Sequence, residues 1–162
     1  MSGPIDEWNK RKEISKENHL KLVKRLSRIS EKKLNPVAEE LHDIAFEQIN
    51  CLNCANCCKS IPPILNGNDV SRISKYLGLK TTDFENKYTR IDEDGDRVMV
   101  KSPCIFLEPD NMCRIYEVRP KACREYPHTG NFEFFKNLKL HAANSQYCPA
   151  VFFILEKIKN QI

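Results

Sequence analysis

The sequence predicts an α+β fold that is mainly helical, with small β-hairpins, in a single compact domain. Three observations lead to this prediction. Apolar residues recur at helical spacing near both ends of the chain, two segments centred on turns alternate in the middle, and eight cysteines lie between positions 51 and 148. The 162 residues suffice for one domain and an extension. We expect residues 1–45 to form a basic helical extension and residues 46–162 to form the cysteine-bearing domain.

The first 50 residues are predicted to form two helices. Apolar residues recur at i, i+4 and i+7 from Leu22, which indicates a helix over residues 6–33. Pro36 is expected to break that helix, because proline restrains the residue before it to extended backbone. A second helix then follows over residues 36–50.

The middle of the chain is predicted to contain short helices and two hairpins. Capping residues and apolar spacing favour helices over residues 69–77 and 81–88. The stretch RIDEDGDRVMV has an Asp-Gly turn, and CIFLEPDNMCRIY has two apolar pieces around Pro-Asp-Asn. RPKACREYP reads as a short helix, NFEFFKNLKL as a strand or mixed segment, and Pro149 opens a C-terminal helix.

Composition and charge predict a soluble cytoplasmic protein. The chain is 41% hydrophobic and 30% charged, without the ~18 consecutive apolar residues of a membrane helix. Its first residues are highly charged and lack the apolar core of a signal peptide. Residues 1–33 hold ten Lys or Arg against five Asp or Glu, but Trp8 is their only aromatic residue. We therefore expect neither a membrane nor a nucleic-acid partner, and the sequence identifies no protein partner.

The spacing of the cysteines indicates a metal site. CLNCANCC contains C-x2-C-x2-C, a spacing of ferredoxin-type cluster loops, in which a remote Cys-Pro supplies the fourth ligand. Cys148-Pro149 is such a remote pair, whereas zinc ribbons favour two C-x2-C pairs. In a reducing cytoplasm, clustered cysteines more often hold a metal than form disulfides. The candidate metal ligands are Cys51, Cys54, Cys57, Cys58, Cys104, Cys113, Cys123 and Cys148.

The sequence leaves the arrangement of these ligands open. Side chains of neighbouring residues diverge, so Cys57 and Cys58 seldom reach one ion, and one of them can serve a second metal or none. Eight cysteines allow two four-thiolate sites, one polynuclear cluster, or one site with additional thiols. They can hold zinc or iron, with an iron–sulfur cluster slightly favoured by the ferredoxin-type spacing.

Positive charge accompanies the candidate ligands. A metal held by four thiolates is anionic and needs nearby donors. Four candidates for this cofactor-binding role flank Cys113 and Cys123: Arg114, Tyr116, Arg119 and Arg124. The histidines are weaker ligand candidates, since His19 and His42 read as surface or interface residues while His128 and His141 lie nearer to cysteines.

These motifs resemble those of a known family. CLNCANCC, SPCIFLEPDNMCRIYEVRPKACREYP and Cys148-Pro149 occur in the order found in the YkgJ-type CxxCxxCC cysteine-cluster proteins, known as zinc- or iron-chelating domains. The resemblance spans residues 51–148 and implies that all eight cysteines chelate metal. A related cluster in flagellin lysine N-methylases implies a redox or methyl-transfer role as one alternative.

The sequence does not decide whether the protein is an enzyme. G-x-S-x-G, P-loop, G-x-G-x-x-G and H-E-x-x-H motifs are missing. A metal-dependent enzyme would keep one coordination position open, whereas a structural site is closed. A third hypothesis is an interaction module whose metal staples a small core.

Overall fold

The computed structural model describes residues 2–162, which are mainly helical with one small antiparallel sheet. This confirms the predicted fold class. In chain order the elements are α1 (Pro4–Leu26), α2 (Glu31–Gln48), α3 (Cys51–Cys54), α4 (Asn56–Ser60), α5 (Gly67–Tyr76), α6 (Thr81–Tyr88), β1 (Thr89–Ile91), β2 (Arg97–Met99), a 3-10 turn (Tyr116–Val118), α7 (Lys121–Glu125), α8 (Leu138–Asn144) and α9 (Pro149–Ile158).

The chain is organised as two compact units. Unit 1 comprises the chain up to Cys54 together with Pro127–Ile162, and unit 2 comprises Ala55–Tyr126. Unit 2 is therefore inserted between the two segments of unit 1. The division into an extension over 1–45 and a domain over 46–162 stays a prediction.

The break between the first two helices does not fall at Pro36, so that prediction was wrong. Pro36 lies inside α2, and the chain leaves helical geometry between Ser27 and Ser30. The Ser27 hydroxyl donates to the carbonyl of Lys24 at 2.8 Å, which caps the end of α1. Ser30 has extended backbone and begins α2, so Pro36 comes two turns into a helix that loses only one backbone bond there.

An apolar core formed by α1, α2, α8 and α9 holds unit 1 together. Leu26 and Leu34 are fully buried, as are Ile154, Leu155 and Ile158. The apolar residues of α2 pack against α9, and those of α1 pack against α8 and α9. The predicted C-terminal helix is confirmed, and it supplies the centre of this core.

Polar side chains join α1 to α8 and α9 inside unit 1. The indole Nε1 of Trp8 donates to the carbonyl of Ser145 at 2.8 Å. His19 is 1% exposed, with Nδ1 3.0 Å from the Ser145 hydroxyl and Nε2 2.9 Å from a carboxylate oxygen of Glu156. His19 was predicted as a surface or interface residue, and it lies in the buried interface between α1 and the helices α8 and α9.

The second segment of unit 1 begins with turns that are held by hydrogen bonds to side chains of α2. The carboxylate of Glu39 accepts hydrogen bonds from the backbone N–H groups of Asn131 and Phe132, at 3.0 and 2.8 Å. The side-chain amide of Asn35 bonds the carbonyl of Phe132 and the N–H of Phe135. NFEFFKNLKL is thus a run of turns leading into α8, without a strand.

Unit 2 contains a second, smaller core built by α5, α6 and the sheet. The first predicted hairpin is confirmed, with Thr89 opposite Met99 and Ile91 opposite Arg97. The second forms only an isolated antiparallel bridge between Leu107 and Cys113. The apolar side chains of this second segment pack individually into the core of unit 2. The buried members of this core are Leu65, Val70, Ile73, Phe84, Met99, Phe106 and Ile115.

No helix within residues 2–162 combines the length and the apolar character required to cross a lipid bilayer.

Candidate metal centre

The eight cysteines are divided between the two units. Unit 1 contains Cys51, Cys54 and Cys148, which we call the trio. Unit 2 contains Cys57 as well as Cys58, Cys104, Cys113 and Cys123, and we call these last four the quartet. No disulfide links any two of the eight within the described chain.

The first four cysteines lie on two short helical turns. The N–H of Cys54 donates to the carbonyl of Asn50 at 3.0 Å, and the Asn50 side chain accepts from the N–H of Leu52 at 2.9 Å. Ala55 follows with φ of 47° and ψ of 18°, a left-handed conformation that costs a residue with a Cβ about 1–2 kcal/mol. The N–H of Lys59 then closes α4 onto the carbonyl of Ala55 at 3.1 Å. The CxxCxxCC motif thus bends sharply between its second and third cysteines.

In unit 1, Cys148 is held close to Cys51 and Cys54. Burial raises the pKa of the Cys148 thiol to about 12, and negative charge on Cys51 and Cys54 acts in the same direction. The backbone N–H groups of Ala150 and Val151, in the first turn of α9, face the sulfur and favour its thiolate. The two ends of the predicted ferredoxin-type pattern are therefore electrostatic neighbours within unit 1.

In unit 2, Cys58 is the neighbour that the more distant cysteines share. A hydrogen bond with Cys57 raises the pKa of the Cys58 thiol far above its ordinary value, with burial and the charge of Cys57 adding to this. The N–H of Cys104 donates to the carbonyl of Cys58 at 2.8 Å. A direct backbone bond therefore fixes α4 to the segment that carries the next cysteine.

Cys104 and Cys113 lie on either side of one turn. Burial raises the pKa of both thiols, and the charge of Cys58 raises both further. Backbone N–H groups oppose this effect, from Phe106 and Leu107 at Cys104 and from Ile115 at Cys113. Amides that face a sulfur stabilise the thiolate, which is the form that ligates metal.

Cys123, on α7, is the fourth member of the quartet. Its residue surface is exposed, yet protein crowds its thiol, and this burial raises its pKa to about 12. Negative charge on Cys58, Cys104 and Cys113 raises the pKa further, while Arg119 lowers it. All four thiols of the quartet are thus electrostatic neighbours.

The four predicted cofactor-binding residues have different surroundings. Arg119 lies over the Tyr116 ring at 4.0 Å and donates to the Tyr116 carbonyl at 2.7 Å. Its positive charge also acts on Cys113 and Cys123. Arg114 lies over the Phe106 ring at 5.2 Å, and Arg124 is exposed. Of the three arginines, Arg119 is the one whose charge acts on the quartet.

The histidines of unit 1 have structural partners. His42 Nδ1 lies 2.9 Å from the Thr129 hydroxyl. His141 is fully buried and stacks on Phe134, whose carbonyl accepts from its Nε2 at 3.0 Å. Nδ1 of His141 has no hydrogen-bond partner among the described residues, and burial lowers the pKa of this imidazole to about 4.

The donor sets suit a thiophilic metal, although the sulfurs are not arranged as ligands. Within residues 2–162, no three Cys, His, Asp or Glu side chains converge closely enough to hold an ion as they stand. Neutral thiols have no reason to converge, because metal binding itself displaces their protons. Soft thiolates select zinc, iron–sulfur clusters or copper(I). Neighbouring thiols with backbone N–H groups beside their sulfurs fit the first two.

Asp69 supports the site, although its place in the sequence indicates only the start of a helix. It is 1% exposed, and its Oδ1 accepts from Arg72 Nη2 at 2.7 Å and from the N–H of Lys121 at 3.0 Å. Burial alone would raise the pKa of Asp69, but the hydrogen bonds from Arg72, Asn66 and Lys121 outweigh it and lower the pKa. The Asn-x-x-Asp spacing signals the helix cap. Nothing in that spacing signals the contact with Lys121, the first residue of α7.

The comparisons with known proteins agree with this chemistry. The CxxCxxCC family, described as "Putative zinc- or iron-chelating domain", matches residues 50–149. An uncharacterized protein of Methanocaldococcus jannaschii is 32% identical over 92 residues, which cover 55% of this chain and 48% of that protein. The chain thus spans about half the length of this curated relative. No solved structure matches significantly. Because the family match covers more than half of the chain, the protein belongs to the CxxCxxCC family of zinc- or iron-chelating domains.

Proposed function

We propose that this protein is a cytoplasmic iron-binding protein that holds an iron–sulfur cluster through its cysteines. The observation that carries the proposal is that Cys148 lies within electrostatic reach of Cys51 and Cys54 in unit 1. In sequence these residues are the first two cysteines of a C-x2-C-x2-C run and a remote Cys-Pro. Bacterial ferredoxins bind clusters with the cysteines of such a run and a Cys-Pro.

The surroundings of Cys148 support an anionic centre. A thiolate-ligated cluster is stabilised by hydrogen bonds to its sulfurs. The N–H groups of Ala150 and Val151 face the Cys148 sulfur from the positive end of α9. The burial that raises the pKa of this thiol also limits contact with water, which otherwise degrades exposed clusters.

The cytoplasmic location is part of the proposal. Thiols persist in compartments that glutathione and thioredoxin keep reduced. Eight cysteines without a disulfide among the described residues suit such a compartment. Fractionation of the native host's cells with an antibody against the protein should place it in the cytosolic fraction. Recovery from an oxidising compartment would contradict this.

Zinc is the second candidate, and the quartet favours it. Structural zinc sites are commonly tetrahedral with four thiolates. Cys58, Cys104, Cys113 and Cys123 are four neighbouring thiols within one compact unit. A protein of this family can therefore hold zinc in one unit and iron in the other.

Anaerobic purification with metal and sulfide analysis tests the proposal. We expect iron together with acid-labile sulfide, and a broad visible absorption that dithionite bleaches. A Cys51→Ser, Cys54→Ser variant should lose this absorption, while Ser60→Ala, a nearby exposed change, should keep it. A colourless protein that contains zinc and no iron, also after anaerobic reconstitution with iron and sulfide, would overturn the iron–sulfur proposal.

A further inference from the structure

We propose that the quartet is a self-contained four-thiolate metal site within unit 2, and that Cys57 is not among its ligands. This inference rests on the proposed chelating function and assigns which thiols act together. The sequence alone leaves one, two or polynuclear sites open. The structure favours a division at the adjacent pair, with Cys58 joined to Cys104, Cys113 and Cys123.

The first structural support is the bond between α4 and the segment of Cys104. The Cys104 N–H donates to the carbonyl of Cys58 at 2.8 Å. The N–H of Ile61 also closes back onto the carbonyl of Cys57 at 2.8 Å, which ends α4 just after the cysteines. Cys58 and Cys104 are therefore held together by backbone, independently of any metal.

The second support is the turn that carries Cys104 and Cys113. Leu107 and Cys113 form an antiparallel bridge, and the N–H of Arg114 donates to the carbonyl of Phe106 at 2.9 Å. Phe106 and Ile115 are 0% and 1% exposed, so the apolar core of unit 2 anchors both arms of the turn. This places the two cysteines at the open end of one rigid loop.

The third support fixes the approach to Cys123. Arg72, bound to the Asp69 carboxylate, donates from Nη2 to the carbonyl of Arg119 at 2.9 Å and from Nε to that of Val118 at 3.3 Å. Asp69 also accepts from the N–H of Lys121. The N–H of Cys123 then closes onto the carbonyl of Pro120 at 3.0 Å. A buried ion pair on α5 therefore positions α7, and Asp69 is a positioning residue for the site.

A site of four thiolates needs positive charge for balance. Arg119 and Lys59 each supply one positive charge near the quartet, and these two charges do not balance four thiolates. A divalent ion bound by all four supplies the remaining compensation and displaces four thiol protons to solvent.

Cys57 differs from Cys58 in its neighbours. Its carbonyl accepts from the N–H of Ile61 at 2.8 Å and ends α4, whereas the carbonyl of Cys58 accepts from the N–H of Cys104 at 2.8 Å. Both residues lie on α4 and are partly buried. Their serine variants therefore form a matched pair with the same chemical change one residue apart.

Titration of the metal-free full chain with Co²⁺ tests this assignment. Tetrahedral cobalt–thiolate sites give intense charge-transfer and d–d bands, whose strength reports how many thiolates bind. We expect Cys58→Ser and Cys113→Ser to abolish one set of bands, and Cys57→Ser and Cys148→Ser to retain that same set. Asp69→Asn should keep the bands but weaken Co²⁺ affinity, and it should do so more than Ile73→Ala, a buried change on the same helix that reports the effect of lost stability alone.

A labelling experiment needs no variant and so avoids loss of folding. Apo protein receives less zinc than one equivalent, is alkylated with N-ethylmaleimide, and is mapped by mass spectrometry. We expect the four quartet thiols to be protected together and Cys57 to be labelled. Protection that joins Cys113 with Cys148, or Cys57 with Cys104, would overturn the quartet while leaving chelation intact. No protection with zinc, cobalt or reconstituted iron would overturn the proposed function itself.

Discussion

Unit 1 and unit 2 stabilise themselves by different means. Unit 1 has fourteen buried apolar residues in one core, most of them on long helices. Unit 2 has seven, supplied by two helices, a three-residue strand and loops. It spans Ala55–Tyr126, a size at which a hydrophobic core alone rarely supplies more than about 3–5 kcal/mol. We therefore expect unit 2 to depend on metal for its stability and unit 1 to depend mainly on packing.

Removal of metal from the quartet should have the largest effect on the stability of unit 2 and little effect on unit 1. A structural thiolate-bound metal supplies on the order of 10 kcal/mol toward folding. Chelation of the full-length protein should therefore remove amide protection across residues 55–126, including Phe106 and Ile115. Protection of α1, α2 and α9 should remain. Hydrogen exchange read by mass spectrometry checks this, and equal loss in both units would contradict the proposed difference.

A cavity in unit 1 should produce the reverse result. Leu155 is fully buried in α9, and Leu155→Ala should lower the free energy of unfolding by about 2–5 kcal/mol. Metal binding by the quartet should stay unchanged, because the quartet lies in unit 2. Ile73→Ala, at an equally buried site of unit 2, serves as the matched control. Its destabilisation should be visible only while metal is bound, because chelation already unfolds unit 2, and urea melts with and without chelator would show this.

Acid should weaken unit 1 through His141. Burial lowers the pKa of folded His141 from 6.5 to about 4. Unfolded chains take up a proton on this imidazole below about pH 6.5. Between these values the unfolded state binds more protons, so stability is complete above about 6.5 and is lost as the pH falls toward 4.

The size of the acid effect is measurable with one substitution. His141→Phe removes the titrating group but keeps an aromatic ring beside Phe134. The variant should lose up to about 3 kcal/mol of the pH dependence between pH 7 and pH 4. Loss of the bond to the Phe134 carbonyl lowers its stability equally at all pH values, so only the slope is diagnostic. Identical slopes in urea melts of both proteins would contradict the burial of a neutral His141.

A pair of alanine-to-glycine changes should give the smallest effects, with opposite signs. Ala55 has φ of 47°, a conformation that glycine adopts without the cost of a Cβ. Ala55→Gly should thus stabilise the protein by up to about 1 kcal/mol. Ala143, exposed in helix α8 of unit 1, should lose about 0.5–1 kcal/mol on the same change. Thermal melts would check both, and destabilisation at Ala55 would contradict the left-handed turn.

Periodic apolar patterns and capping residues made much of the fold predictable from the sequence. The helices α1, α2, α5, α6 and α9 follow such patterns, and the Asp-Gly turn located the only sheet among the described residues. The position of the first helix break was not predictable in this way. Pro36 is the stronger local signal, but buried contacts of its neighbour Asn35 with Phe132 and Phe135 keep α2 continuous. Those contacts join residues about a hundred positions apart, which local rules do not see.

The metal-binding chemistry of the cysteines was more predictable from the sequence than their division into separate groups. Spacing alone singled out the cysteines and the remote Cys148-Pro149 pair. It could not assign Cys58 to Cys104, because their link is a backbone bond across 46 positions. The buried role of Asp69 was hidden for the same reason, since its partner is the N–H of Lys121. Tertiary hydrogen bonds rather than local propensities separate the eight thiols.

The insertion of unit 2 between the two segments of unit 1 sets an order on synthesis. Ribosomes add about 5–20 residues per second, so Tyr126 is added roughly 2–6 s before the last residue of α9. Every cysteine of the quartet is therefore translated while the packing partner of α2 does not yet exist. If unit 2 depends on metal as proposed, metal supply during those seconds decides whether unit 2 is already folded when α9 is completed. A nascent chain without bound metal would expose an unfolded unit 2 to proteases and chaperones before the two segments of unit 1 have packed together.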